Sequence, residues 1–413
     1  MAQKRPDATV SDMVSSERAV YSAPKCFPQP KAKMQPVIAL DHGPRARPAL
    51  FTRPRDLLLA WSRAEVANVL DRAEAARGAG AWVAGYIAYE AGYAFEPRLS
   101  GIPQHDPRAP LVALGVFNAP EPATTFHTQA DAQMGSLSPI LPRTTRGDYA
   151  RSFGRLMEYI AAGDCYQVNL TFPLAAQLTS GTGQGLYGAL RARQQVGFGG
   201  YLDLGAGPVV LSCSPELFFT LQGGVIESRP MKGTAPRGAT ADADRALRDG
   251  LAASDKVQAE NLMIVDLLRN DIARISEVGS VKVPELFAID SFATVHQMSS
   301  RIRGQLRAKL GLTEIMAALF PCGSVTGAPK IRAMQIIAEL EPVPRSVYCG
   351  AIGWAAPNGD QAWSVAIRTL RLFDGGAVEG NVGGGIVQDS TEAGEWEEAL
   401  WKTRFAKGLR RAA

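Results

Sequence analysis

The chain is 413 residues long, 46% hydrophobic, with 44 Lys and Arg against 40 Asp and Glu and a formal net charge of +4. That length allows about two to three domain-sized units and the apolar fraction a large core, while the small charge gives no reason to expect nucleic acid and fits an anionic substrate only weakly. The opening residues lack a secretory apolar run, no stretch of about 18 apolar residues suggests a membrane span, and the five cysteines (Cys26, Cys165, Cys213, Cys322, Cys349) form no CxxC pair, which argues against a zinc site or disulfide framework and for reduced thiols in a cytoplasmic protein.

Residues 1–35 are polar and irregular and read as a poorly ordered tail. A first region, 36–140, holds one well-signalled helix: Ser62 and Glu65 make a capping box, Val66, Val69, Leu70 and Ala73 an apolar stripe, and Gly78 a stop. Trp82 to Glu90 reads as a buried strand, and the Ala/Pro/Thr/Gln-rich stretch 118–140 as a long loop. The second region, 145–410, opens with a helix carrying Tyr149, Phe153, Leu156 and Ile160, stopped by Gly163. In the strand that follows, Gln167, Asn169 and Thr171 share one face. Strands and helices then alternate without the regular beat of a doubly wound sheet.

Several segments can carry chemistry. Glu395 and Glu398 are three apart on an expected helix, with Lys402 one turn beyond. Glu260 sits in an apolar helical segment, where a carboxylate is costly unless paired or bound to a cation. Glutamates from separate helices suit a hard, oxygen-seeking ion such as Mg²⁺, although spacing alone favours a solvated helix face for Glu395 to Glu398. The junction Gly323 to Lys330, ahead of a helix, offers backbone N–H groups to an anion, with Pro329 in the first turn. Gly383, Gly384 and Gly385 form a second expected close-approach loop. Lys232, between Met231 and Gly233, is a nucleophile only if desolvated; a lone lysine is more often a surface charge. His296 reads as a general acid or, more often for such a residue, as a satisfied core histidine, and Glu216, after an apolar strand, as a carboxyl with a raised pKa.

Together, GDCYQVNL (163–170), SPELFF (214–219), RPMKGTAPRG (229–238), AENLMIVDLLRND (259–271), VHQMSSRIRG (295–304), CGSVTGAPKIRAM (322–334), YCGAIGW (348–354), SVAIRTL (364–370), GGGIVQDS (383–390) and EWEEALWK (395–402) resemble the chorismate-utilising enzymes. That family includes anthranilate synthase component I, aminodeoxychorismate synthase component I, isochorismate synthase and salicylate synthase. The segments occur in family order. The resemblance implies an α+β fold: two large, mostly antiparallel sheets packed together, helices outside and the site between them. It implies Glu260 and Glu398, with Glu395 beside them, as Mg²⁺ ligands that hold the ring carboxylate. It implies Tyr348, Arg368 and Gly383 to Gly385 at the enolpyruvyl carboxylate, Thr326 and Lys402 as further carboxylate contacts, His296 near the reacting end of the ring, and Glu216 as the acid that protonates the departing C4 hydroxyl.

Two positions separate the branches. Water-adding members carry a lysine base where this chain has Gln167, and a glutamine cannot deprotonate water. Anthranilate synthases read P-I-A-G-T where this chain has Pro230-Met231-Lys232-Gly233-Thr234, and the lysine is the mark of the aminodeoxychorismate branch. Met231 replaces the usual Ile, a near-isosteric swap. The implied reaction converts chorismate and ammonia to 4-amino-4-deoxychorismate through a covalent lysine intermediate, for 4-aminobenzoate and folate synthesis, with anthranilate synthesis the alternative. No Gly-x-Cys-x-Gly nucleophile elbow is present, so ammonia is expected from a separate glutamine amidotransferase chain.

Overall fold

The computed structural model describes residues 35–102, 105–194, 196–292 and 295–409. Of the expected N-terminal tail, residues 1–34 lie outside the described residues. Gln35–Ala413 forms one compact unit.

The chain begins β1 (Val37–Leu40), β2 (Ala49–Thr52), β3 (Asp56–Ala60), α1 (Arg63–Gly78), β4 (Trp82–Ile87), β5 (Val112–Phe117), β6 (Glu121–Pro122), α2 (Thr124–Ala132), β7 (Ser136–Leu137) and β8 (Leu141–Pro142). It continues through α3 (Arg146–Ala161), β9 (Gln167–Ser180), α4 (Gly183–Arg193), β10 (Phe198–Asp203), β11 (Val209–Ser214), β12 (Leu217–Gln222), β13 (Val225–Ser228), β14 (Met231–Pro236), α5 (Ala241–Ala252) and α6 (Asp255–Ala273). It ends with β15 (Lys282–Ser291), β16 (Val295–Gln305), α7 (Leu312–Leu319), β17 (Gly327–Ala328), α8 (Lys330–Leu340), β18 (Ala351–Ala355), β19 (Gln361–Val365), β20 (Thr369–Leu372), β21 (Ala377–Ile386) and α9 (Glu392–Lys402).

These strands build two sheets. The first has eleven strands, ordered β17-β9-β21-β20-β11-β10-β1-β2-β6 with β7 and β8 also on β9; the second has ten, ordered β14-β16-β13-β12-β19-β18-β4-β5-β3 with β15 on β16. Every ladder among the described residues is antiparallel. Their inner faces share a core in which Ile38, Phe51 and Val210 of the first sheet meet Tyr86, Phe117 and Trp354 of the second. Phe51 and Phe117 pack with ring centroids 5.3 Å apart. Antiparallel sheets with one face buried read as alternating patterns, and two such faces pack into one core.

The signalled helices form. In α1 the Glu65 carboxylate accepts from the Trp61 and Ser62 amides, both at 2.8 Å, and Val66, Val69, Leu70 and Ala73 are buried. α3 buries Tyr149, Phe153, Leu156 and Ile160. Two local expectations are corrected. The stretch 118–140 is not one loop: it contains α2, which buries Phe126, His127 and Ala130. No side chain caps α2; it is held by close packing on the glycines of α4, where a Cβ at Gly188 would lie 2.3 Å from the Ala130 carbonyl oxygen. The strand from Trp82 stops at Ile87, and Tyr89–Phe95 turns as a 3₁₀ helix. Glu90 faces inward there and accepts from the amides of Arg345 and Ser346, at 2.6 and 3.0 Å.

Candidate active site

The chain changes sheet twice at one place. Between β11 and β12 it crosses through Pro215 and Glu216; between β19 and β20 it crosses back through Ala366, Ile367 and Arg368. The crossovers are stitched together: the Val365 amide donates to the Glu216 carbonyl (3.1 Å) and the Cys213 amide to that of Arg368 (3.0 Å). Arg368 has a left-handed backbone (φ 50°), a conformation uncommon outside Gly, Asn and Asp. The two crossovers thus bring a carboxylate and a guanidinium together. Glu216 is buried, and its Oε1 accepts from Ser324 Oγ at 2.6 Å. Burial raises its pKa, against the opposing pull of Ser324, Lys232 and Arg368. Arg368 has no ion pair among the described residues; burial lowers its pKa, with Cys213, Glu216 and Tyr348 pulling the other way. Tyr348 is buried, which pushes its phenol well up.

Lys232 projects from β14, which pairs with β16 through a bulge between Lys232 and Thr234. Gly233 makes the bulge: its φ is +73°, and a Cβ there would lie 2.2 Å from Val257 Cγ1 on α6, so glycine is required both for conformation and for close approach. Among the described residues no carboxylate comes within 4.0 Å of the Lys232 amine and no hydrogen bond holds it. Desolvation lowers its pKa, while Glu260, Glu216 and Glu398 pull it up and Lys402 pushes it down. An amine with three carboxylates around it and a bond to none is a functional-site candidate.

α9 lies across β21. Glu398 bonds Lys402 at 2.8 Å, and Lys402 donates to the Gly383 carbonyl at 2.8 Å. Gly383, Gly384 and Gly385 are not a loop, as expected, but strand residues opposite Thr171, Leu170 and Asn169 of β9, because the β9 ladder takes them up. Their lack of side chains lets neighbours close in on both faces of β21: a Cβ at Gly384 would lie 3.0 Å from Glu395 Oε2 and 3.4 Å from Lys402 Nζ, and one at Gly385, on the opposite face, would lie 2.9 Å from Gln167 Nε2. Gln167 Nε2 is fully buried with no hydrogen-bond partner, and a buried donor left unpaired is costly unless a ligand oxygen meets it. Burial and the neighbouring Glu398 raise the pKa of Glu395, opposed by the Ser390 hydroxyl at 2.7 Å. Burial also pushes Glu398 up, but Lys402, Lys232 and Lys256 together outweigh it and the net shift is downward.

Glu260 lies on α6, half-buried rather than buried, with Lys256 Nζ 4.0 Å away. Glu260, Glu395 and Glu398 offer only oxygen, the donor set of a hard cation. Among the described residues no three His, Cys, Asp or Glu side chains are gathered closely enough to hold an ion unaided. A cation that keeps water and a ligand's own oxygens in its shell, as Mg²⁺ does, would need fewer protein donors than that.

Two expected site residues are engaged elsewhere. His296 is 1% exposed, with Nδ1 2.8 Å from Ser291 Oγ and Nε2 3.0 Å from Asp244 Oδ1, so both nitrogens are filled within the protein. The Thr326 hydroxyl is directed at the carbonyls of Cys322 (3.1 Å) and Gly323 (3.2 Å). Pro329 stands at the N-cap of α8, not in its first turn. Lys330 turns to Asp271 Oδ2 at 2.5 Å. Sequence reading missed the side chain of Ser324, seen only as part of a backbone anion site, and missed Asp244 and Ser291, whose partnership with His296 has no local signature.

Comparison with known proteins places this geometry. Residues 122–408 match the family model described as chorismate binding enzyme. The chain is 42% identical over 297 residues to aminodeoxychorismate synthase component 1 of Klebsiella aerogenes, covering 72% of this chain and 63% of that protein. It is 44% identical over 260 residues to anthranilate synthase component 1 of Pseudomonas putida, covering 63% of this chain and 52% of that one. The chain thus spans between half and two thirds of the length of these relatives. In fold it is similar to anthranilate synthase component I from Streptococcus pneumoniae (TM-score 0.71, 23% identity, 98% of this chain and 100% of that one) and to a 2,3-dihydroxybenzoate-specific isochorismate synthase from Bacillus anthracis (TM-score 0.70, 20% identity, 90% and 95%). By these matches and the motifs within 122–408, the chain belongs to the chorismate-binding enzyme family.

Proposed function

We propose that this protein is the chorismate-aminating component of aminodeoxychorismate synthesis, forming 4-amino-4-deoxychorismate from chorismate and ammonia. The observation that carries the reading is the unbonded, desolvated amine of Lys232 between Glu216, Glu260 and Glu398. Chorismate carries two carboxylates. Arg368, the Gln167 amide and Lys402 would meet them. Glu260, Glu395 and Glu398 would hold Mg²⁺, which supplies charge neutralisation at the ring carboxylate.

The neutral Lys232 amine attacks C2, forming a C–N bond as both ring double bonds shift and the C4–O bond breaks. Glu216 gives its proton to the departing oxygen, which leaves as water. Ammonia then attacks C4 as the two double bonds shift back and the C2–N bond breaks, returning the pair to Lys232. Gln167 offers no base for water, which disfavours hydroxylation. Ammonia must arrive unprotonated, which favours a glutamine amidotransferase partner over bulk ammonium; a cytoplasmic setting suits both.

Anthranilate formation is the competing reading, favoured by the 44% identity to the Pseudomonas putida relative. Incubation with chorismate, Mg²⁺ and ammonium separates them by product mass. The reading predicts 4-amino-4-deoxychorismate; fluorescent anthranilate, formed with no added lyase, overturns it.

A further inference from the structure

The Glu216 main chain is fixed at both ends: its amide donates to the Ser214 hydroxyl oxygen at 3.2 Å, and its carbonyl accepts from the Val365 amide at 3.1 Å. Its carboxylate is held at one oxygen only. Ser324 Oγ donates to Oε1 at 2.6 Å, and among the described residues Oε2 has no hydrogen-bond partner. Ser324 is itself held. Cys322 Sγ lies 3.2 Å from its hydroxyl, and because the single hydroxyl proton goes to Glu216, the thiol is the donor. The Gly323–Val325 turn that carries Ser324 is clamped under α6: a Cβ at Gly323 would lie 2.5 Å from Leu267 Cδ2. A serine fixed this firmly chooses between the two oxygens of a carboxyl that has no other side-chain partner.

We propose that Ser324 is a positioning residue for the amination reaction: by donating to Oε1 it reserves Oε2 of Glu216 for the proton that goes to the departing C4 oxygen. The inference rests on the reading of Glu216 as the acid. When the proton leaves Oε2, the C4–O bond breaks with its electron pair on oxygen, water forms, and the Glu216 carboxylate that remains keeps its Ser324 hydrogen bond. Such bonds strengthen when the acceptor is ionised, so Ser324 also favours the proton's departure. The other charged or titratable groups facing Glu216 are Lys232 on β14, Arg368 on the second crossover, and the thiols of Cys322 and Cys349.

The test compares Ser324→Ala, Ser324→Thr and Glu216→Gln in the full chain, with chorismate, Mg²⁺ and ammonium, reading kcat, KM and the pH profile of kcat. Ser324→Ala should lower kcat by roughly tenfold to a hundredfold with KM for chorismate little changed. The alkaline limb should move to higher pH, because a carboxyl without that donor holds its proton longer. Ser324→Thr, which keeps the hydroxyl, should restore both. Wild-type kcat and pH profile in Ser324→Ala, with Glu216→Gln inactive, would overturn the positioning role and leave the acid in place. Wild-type kcat in Glu216→Gln would overturn the acid assignment and the inference with it.

Discussion

Lys330 is bonded to Asp271 and the Leu319 carbonyl, and Lys402 to Glu398 and the Gly383 carbonyl; Lys232 has neither kind of partner among the described residues. A nucleophilic amine must be neutral, and desolvation lowers the Lys232 pKa toward that state. Lys232→Ala should lower kcat by at least about two orders of magnitude while chorismate binding, read by titration, changes little; turnover at the wild-type rate would remove the lysine from the mechanism. Glu398→Gln should shift the Mg²⁺ titration of activity to higher concentration, and an unshifted curve would remove Glu398 from the ligand set. The sequence made Lys232 visible only through its neighbours in the family motif, since a lone lysine carries no signal. It could not show His296 bonded at both nitrogens, because Asp244 and Ser291 reach it only through the pairing of β15 and β16 and the docking of α5.

Elements with local chemistry were legible in the sequence and those made by packing were not. The capping box of α1 and the apolar stripe of α3 are written in adjacent residues, and both helices form as read. α2 lacks a cap and exists because α4 presents glycines to it. The three glycines of β21 gave a loop signal because nothing local reveals that β9 pairs with them. A connection beyond sequence reading joins the segment after Tyr89–Phe95 to the first sheet: Asp106 accepts from Arg108, at 3.0 Å, and from Arg371 on β20, at 2.6 Å. Burial opposes ionisation of Asp106, but the two guanidiniums outweigh it and hold the carboxyl down at about 2. A carboxyl depressed by folding adds stability that is present above its unfolded pKa and is lost as pH falls through the folded value. Asp106→Asn should therefore flatten the loss of stability between about pH 4 and pH 2, worth on the order of 2 kcal/mol, in urea melts across that range; parallel curves for variant and wild type would contradict it.

Across the whole molecule, one buried arginine ties distant segments together. Arg345, 1% exposed, bonds Glu341 at 2.6 and 2.8 Å, the Asn169 carbonyl of β9 and the Val325 carbonyl beside Ser324. Its guanidinium lies 4.6 Å from the Tyr89 ring centroid. Glu341 also accepts from the Thr171 amide at 2.8 Å. Removing one partner of a buried pair strands the other charge, so Glu341→Ala should cost about 3–5 kcal/mol by urea denaturation; a change under about 1 kcal/mol would mean the site side of the molecule does not depend on this bolt. The two-sheet class was legible through the family resemblance, whereas the bolt was not, because Tyr89 and Arg345 are far apart in sequence. On the proposed function all of this architecture delivers a single amine to a dianion, and the most direct test is the intact mass of the protein incubated with chorismate and Mg²⁺ without ammonium. The account predicts an adduct of chorismate less water, located on the Lys232 peptide and discharged when ammonium is added. An unmodified mass, in protein that turns over once ammonium is supplied, would contradict it.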